Sequence, residues 1–165
     1  VIDSWFSPAQ LLGYAAFVFG VACFAQHDDR RFKLFMAAEC AAYIGHFWLL
    51  GQATAGASTT VSLLRSLASL RARKPAVGLF FIALSAGLGV WLMQGPLSLL
   101  PIAASCIGTF ALFFLDGLRM RALMLLGTLL WLLNNLLVGS IGGSLLEAVL
   151  ALTNAHTIWR LARRA

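Results

Sequence analysis

A few polar side chains in this chain stand inside long apolar runs, and their types suit the binding of a small polar solute. Glu39 comes six residues after Lys33, and Arg65 comes six residues before Arg71. On helices that rise 1.5 Å per residue, both stand about 9 Å from the basic ends of their segments. A carboxylate and a guanidinium at one depth are expected to pair. The pair is either a structural device that lets the segments insert or part of a binding site. Breaking a buried pair of this kind commonly costs about 3–5 kcal/mol. A second set, His46, Asn134, Asn135 and Glu147, lies about one turn inside the opposite ends of its segments. Helical spacing puts Glu147, Leu150, Ala151, Asn154 and Ile158 on one face, so a polar line runs down to Asn154. For His46 alone the plain reading is a hydrogen bond to a neighbouring helix.

The same residues argue against other chemistry. There is no paired-carboxylate motif for metal-dependent phosphotransfer, no serine in a glycine frame and no two histidines at ligand spacing, so no enzyme is expected. His27, His46 and His156 fall at different depths, so no haem, metal or other cofactor is expected. Cys23, Cys40 and Cys106 lie in apolar runs and read as small hydrophobes.

The elements that hold these residues follow from charge. Eleven of the twelve Lys and Arg residues fall in four clusters: Arg30, Arg31 and Lys33; Arg71, Arg73 and Lys74; Arg119 and Arg121; and Arg160, Arg163 and Arg164. The intervening apolar stretches are each broken by a neutral turn, at 51–56, 94–96 and 139–143. Alternating basic and neutral connections are the positive-inside pattern of a multi-pass membrane protein. Hydrophobic residues make up 61% of the chain and charged ones 11%, against roughly 25% charged in soluble domains. The net charge of +6 sits at segment ends, where it suits anionic lipid rather than nucleic acid.

Seven transmembrane helices are predicted, at 8–26, 33–50, 55–71, 76–94, 96–115, 119–138 and 143–160. Each is long enough to cross a hydrocarbon core of roughly 30 Å. Pro8, Pro75 and Pro96 mark helix starts. Asp28 or Asp29 is expected to cap the second helix, and Asp116 the sixth. Trp5, Trp48, Trp91 and Trp159 fall at segment ends, as interfacial aromatics do. The basic loops place the amino terminus outside and the carboxyl terminus in the cytoplasm. Val1 to Trp5 carry no basic flank, so the first stretch reads as a span rather than a signal peptide.

The chain also repeats. At an offset of 88 residues, Pro8 meets Pro96, Gly20 meets Gly108, Asp28 meets Asp116, Arg31 meets Arg119 and Gly51 meets Gly139, without a gap. The resulting architecture is two parallel three-helix repeats, 8–71 and 96–160, joined by a linker helix at 76–94, a three-one-three order. Under this offset His46 pairs with Asn134 and Thr59 with Glu147, whereas Glu39 and Arg65 pair with Gly127 and Thr153.

Several stretches carry a family resemblance: Asp28-Asp29-Arg30-Arg31-Phe32-Lys33-Leu34, Gly45-His46-Phe47-Trp48-Leu49-Leu50-Gly51, Ala55-Gly56-Ala57-Ser58, Leu99-Leu100-Pro101-Ile102 and Gly139-Ser140-Ile141-Gly142-Gly143. In this order, over nearly the whole chain, they resemble the bacterial inner-membrane protein family called YgjV. The resemblance implies a location in the bacterial inner membrane and brings no biochemical activity. A looser likeness, in helix number and parallel repeats, is to three-one-three transporters of the SWEET and PnuC type. Pro8-Ala9-Gln10 stands at a helix start and is not the Pro-Gln pair of SWEET repeats. Trp131, Asn134, Asn154 and Trp159 resemble PnuC site chemistry without its spacing.

The function expected from these readings is a small inner-membrane transporter or facilitator of a polar solute. Its midplane site would be lined by Glu39, Arg65, Trp131, Asn134 and Asn154, with Asn135 adjacent and with His46 and Glu147 in an outer vestibule. Glu39 or Glu147 would carry any coupled proton. Lipid, a small solute and a second copy of the chain are the expected partners. The alternative is a membrane protein that assembles with or regulates a partner. It predicts that the polar residues face protein neighbours rather than a cavity.

Overall fold

The computed structural model describes residues 5–24, 29–69, 71 and 74–163, and the side chains of 23–24 and 29–33 are not among those described. Asp28, Arg73, Arg164 and His27, the side chains of Cys23, Arg30, Arg31 and Lys33, and any cap from Asp28 or Asp29 therefore lie outside the described residues. The described residues form seven α-helices and no strand: α1 Pro8–Phe24, α2 Asp29–Leu49, α3 Ala53–Ser69, α4 Pro75–Trp91, α5 Leu99–Phe114, α6 Gly117–Leu137 and α7 Ile141–Ala162. A single 3-10 turn, Pro96–Ser98, leads into α5.

The helix ends have local causes. Pro75 opens α4, where its missing N–H costs nothing. α7 starts two residues before the expected 143 because the Ser140 hydroxyl accepts the Gly143 N–H at 3.2 Å. Asp116 stands at the cap position of α6 in extended backbone, but its side chain makes no capping bond, contrary to expectation. α2 and α6 each end in a tight turn through a left-handed glycine, Gly51 (φ 70°) and Gly139 (φ 73°). The bonds of the two turns match one for one. Gln52 N–H donates to the Phe47 carbonyl and Ser140 N–H to the Asn135 carbonyl, both at 2.8 Å. α3 and α7 then begin at Ala53 and Ile141, again 88 residues apart.

The principal contacts run from α1 to α2 to α3 to α5 to α6 to α7 and back to α1, with α4 packed outside on α3 and α5. α4 approaches α5 closely through glycine. A Cβ at Gly78 would fall against Phe113, and one at Gly89 against Ile102. A buried apolar cluster joins Ala16 of α1, Ala42, Tyr43 and Phe47 of α2, Ala55 of α3 and Leu146 of α7. Many large apolar residues face outward, among them Leu79, Phe80, Phe110, Leu129, Leu133 and Leu152. Exposed apolar surface of this extent marks contact with a membrane or partner. Among the described residues, two helical stretches are long and apolar enough to cross a membrane, Pro96–Phe114 and Gly117–Leu137. Pro8–Ala22, Leu34–Leu49 and Pro75–Trp91 are apolar but shorter. α3 is poor in apolar residues because it is rich in Ser and Thr. Their hydroxyls bond back to its own carbonyls, Thr59 to Ala55 at 2.9 Å and Ser66 to Ser62 at 2.7 Å.

Candidate functional site

A cavity of about 140 Å³ lies among α2, α3, α6 and α7. It brings together four of the residues expected at a site: Glu39 of α2, Arg65 of α3, Trp131 of α6 and Glu147 of α7. Tyr43 and Thr59 complete a level with Trp131 and Glu147. All four stand six residues from the nearer end of their helices, about 9 Å along the axis. Tyr43 and Trp131 are 88 residues apart, and so are Thr59 and Glu147. Glu39, Ser62 and Arg65 lie deeper, toward the basic ends.

One wall is aromatic. The Tyr43 and Phe47 rings stack with centroids 5.4 Å apart, and Phe47 leans on Trp131 at 5.8 Å. The Tyr43 side chain is 6% exposed, and its hydroxyl has no hydrogen-bond partner among the described residues. It lies toward the Asn135 amide without reaching bonding geometry, and that amide is also unpaired.

The expected ion pair is not formed. Arg65 turns to α5, where Nη1 donates to the Ser105 carbonyl at 2.9 Å and to Thr109 Oγ1 at 2.8 Å. Gly108 makes the space, since a Cβ there would stand 2.9 Å from Nη1. The Arg65 Nε is buried without a partner. Both residues line the one cavity. The direction of the guanidinium was not as expected, because α5 offers a carbonyl and a hydroxyl one turn apart. Glu147 also departs from expectation. It shares the cavity of Glu39 rather than a separate outer vestibule.

The remaining expected residues sit elsewhere. His46 is fully buried and both ring nitrogens are engaged, with the Ala9 carbonyl at 2.6 Å and Ser140 Oγ at 2.7 Å. It lashes α1, α2 and the α6–α7 turn together and lines no vestibule. Asn134 is buried with its Nδ2 unpaired. Asn135 borders a different hollow of about 250 Å³, formed with Gly139, Ser140 and Ser144. Asn154 borders a third, of about 310 Å³, on α6 and α7, and donates to the Arg121 carbonyl at 2.9 Å. Glu147 and Asn154 are thus not one continuous site.

Sequence reasoning passed over Cys40, Tyr43, Phe47 and Ser62 as lining residues. Tyr43 carried a usable signal, because an aromatic, Trp131, stands 88 residues later. Gln10 was also passed over. It is 3% exposed, donates to the Gly139 carbonyl at 2.6 Å and accepts from the Ile141 N–H at 3.1 Å. Two such bonds, each worth about 0.5–1.5 kcal/mol, fasten the start of α1 to the turn after α6. A Cβ on Gly142 would overlap the Gly13 backbone and one on Gly143 would fall against the Asn135 side chain, so α7 starts tight against both α1 and the end of α6. Among the described residues no group of His, Cys, Asp and Glu is arranged to hold a metal.

Residues 7–165 match the model of a family of bacterial inner membrane proteins, Imp-YgjV. The chain belongs to this family. It is 38% identical over 159 residues to the inner membrane protein YgjV of Escherichia coli strain K12, covering 94% of this chain and 87% of that one. The Imp-YgjV match covers all seven helices and every cavity-lining residue. No solved structure matches.

Proposed function

We propose that this inner-membrane protein is a transporter or facilitator of a small polar solute, built as two parallel three-helix repeats around a shared site. The repeats are α1–α3 and α5–α7, with α4 as linker, and all seven helices span the membrane. The amino terminus is outside and the carboxyl terminus cytoplasmic.

The observation that carries the proposal is the lining of the 140 Å³ cavity by two pairs of residues 88 apart, Tyr43 with Trp131 and Thr59 with Glu147. Equivalent residues facing one hollow are what a two-fold axis along the membrane normal produces. The neighbour relations support it. An offset of 88 carries the contact of α1 with α2 onto that of α5 with α6, and that of α3 with α5 onto that of α7 with α1. Gly20 and Gly108 hold equivalent places, the first against Leu146 of α7 and the second against Arg65 of α3.

The alternative of a non-transporting partner protein predicts polar residues packed on protein. His46 behaves that way, but Glu39, Arg65 and Glu147 border open volume. The absence of any enzymatic activity is part of the same proposal. Re-swelling of osmotically shrunken proteoliposomes tests it. With a panel of small polar solutes, at least one should enter faster than into protein-free liposomes, and Thr59→Trp, which fills the cavity, should abolish the difference. Equal entry for every solute would overturn the proposal.

A further inference from the structure

The wall chemistry of this cavity narrows the solute to one class. Titratable groups reach it from α2 as Glu39, Cys40 and Tyr43, from α3 as Arg65 and from α7 as Glu147, and none comes from α6. With both carboxyls ionised against one guanidinium, the balance would be −1. That guanidinium is already held by the Ser105 carbonyl and Thr109 on α5. A buried carboxyl without a partner holds a proton, and a cation that enters the space can replace that proton as its counter-charge. The rest of the lining suits a soft cation. Tyr43, Phe47 and Trp131 present aromatic rings, the surface that recognises alkylated ammonium and guanidinium ions. Tyr43 is also more than nine-tenths buried, with a hydroxyl that has no partner among the described residues and is free to accept an N–H.

Size sets the upper bound. A protein cavity of about 150 Å³ accommodates benzene, so roughly six non-hydrogen atoms fit. We infer that the cavity between the two halves takes a small organic monocation, an alkylated ammonium or guanidinium of that size or less. The inference rests on the solute-site reading above and adds the charge and class of the solute.

Three molecules within that size and of different charge separate the outcomes: tetramethylammonium, tert-butanol and isobutyrate. Their binding is measured by titration calorimetry on the full chain in lipid nanodiscs. Tetramethylammonium is expected to saturate, and the other two are not. Glu147→Gln should weaken it by about tenfold or more, and Trp131→Leu by roughly 2- to 30-fold, the span of a cation–π contact. If Glu147→Gln does not fold, Glu39→Gln serves the same purpose, and thermal melting of each variant checks folding. Preferential binding of isobutyrate or tert-butanol would overturn the cationic class and leave the solute-site reading standing. Binding of none of the three would overturn the inference, and the liposome measurement would then decide the broader reading by itself. Tetramethylammonium binding unchanged in folded Glu147→Gln and Glu39→Gln would show that the cation is held elsewhere, which also overturns it.

Discussion

Gly108→Ala should act through Arg65, and the structure sets the size of the effect. The new methyl would stand 2.9 Å from Nη1 and 3.2 Å from Nη2. The first distance is too short and the second tight, so the guanidinium must give way. In giving way it weakens, and at the limit breaks, its bonds to the Ser105 carbonyl at 2.9 Å and Thr109 Oγ1 at 2.8 Å. Hydrogen bonds from a charged donor are worth about 1.5–3 kcal/mol each, which bounds the loss at roughly 3–6 kcal/mol. Arg65 is long and can swing into the cavity toward Glu39, recovering part of that loss, so the expected net cost is about 1–3 kcal/mol. The assay is a double-mutant cycle with Arg65→Met, with unfolding followed in detergent micelles. Without the guanidinium, Gly108→Ala loses most of its penalty, giving a coupling of about 1–2 kcal/mol. Additivity within about 0.5 kcal/mol would show that Gly108 does not make space for Arg65. It would also refute the account of why the ion pair is absent.

Two further outcomes follow from the same geometry. His46→Ala removes the bonds to the Ala9 carbonyl and Ser140 Oγ that tie α1, α2 and the α6–α7 turn together. It should cost about 1–3 kcal/mol of stability while leaving solute affinity unchanged, as melting and calorimetry together would report. Orientation is tested by labelling from outside intact cells. An impermeant thiol reagent should reach Gln94→Cys and not Arg119→Cys, both being exposed helix-end positions; the reverse pattern would invert the topology.

Much of the helical fold was legible because prolines, glycines and charge clusters interrupt the apolar runs. Pro75, Gly51 and Gly139 each mark a helix boundary for a backbone reason, and the 88-residue offset carries through to the helix ends at Leu49 and Leu137. Depth along a helix was equally readable, since it is only a count of residues. That is why Glu39, Arg65, Trp131 and Glu147 were all candidates before the structure placed them around one cavity. Facing was not readable at the same level. Which way Arg65 turns depends on α5 lying beside α3, and no local pattern announces a contact between segments 40 residues apart. The same limit explains Asn154, which shares a helix face with Glu147 by periodicity yet bends to the Arg121 carbonyl at a different hollow. His46 shows the converse. A polar group in an apolar run is as well explained by two neighbouring acceptor or donor atoms as by a ligand.

The central claim is that the cavity around Thr59 opens to water during a working cycle, and thiol accessibility addresses it most directly. In a variant with Cys23, Cys40 and Cys106 replaced by alanine, Thr59→Cys is compared with Ala16→Cys, which is fully buried in the apolar cluster. A small membrane-impermeant thiol reagent is applied separately to right-side-out and inside-out vesicles. The account predicts that Thr59→Cys reacts from both faces while Ala16→Cys reacts from neither. A Thr59→Cys thiol as unreactive as Ala16→Cys from both faces would mean that the cavity is a sealed packing void and would contradict the account.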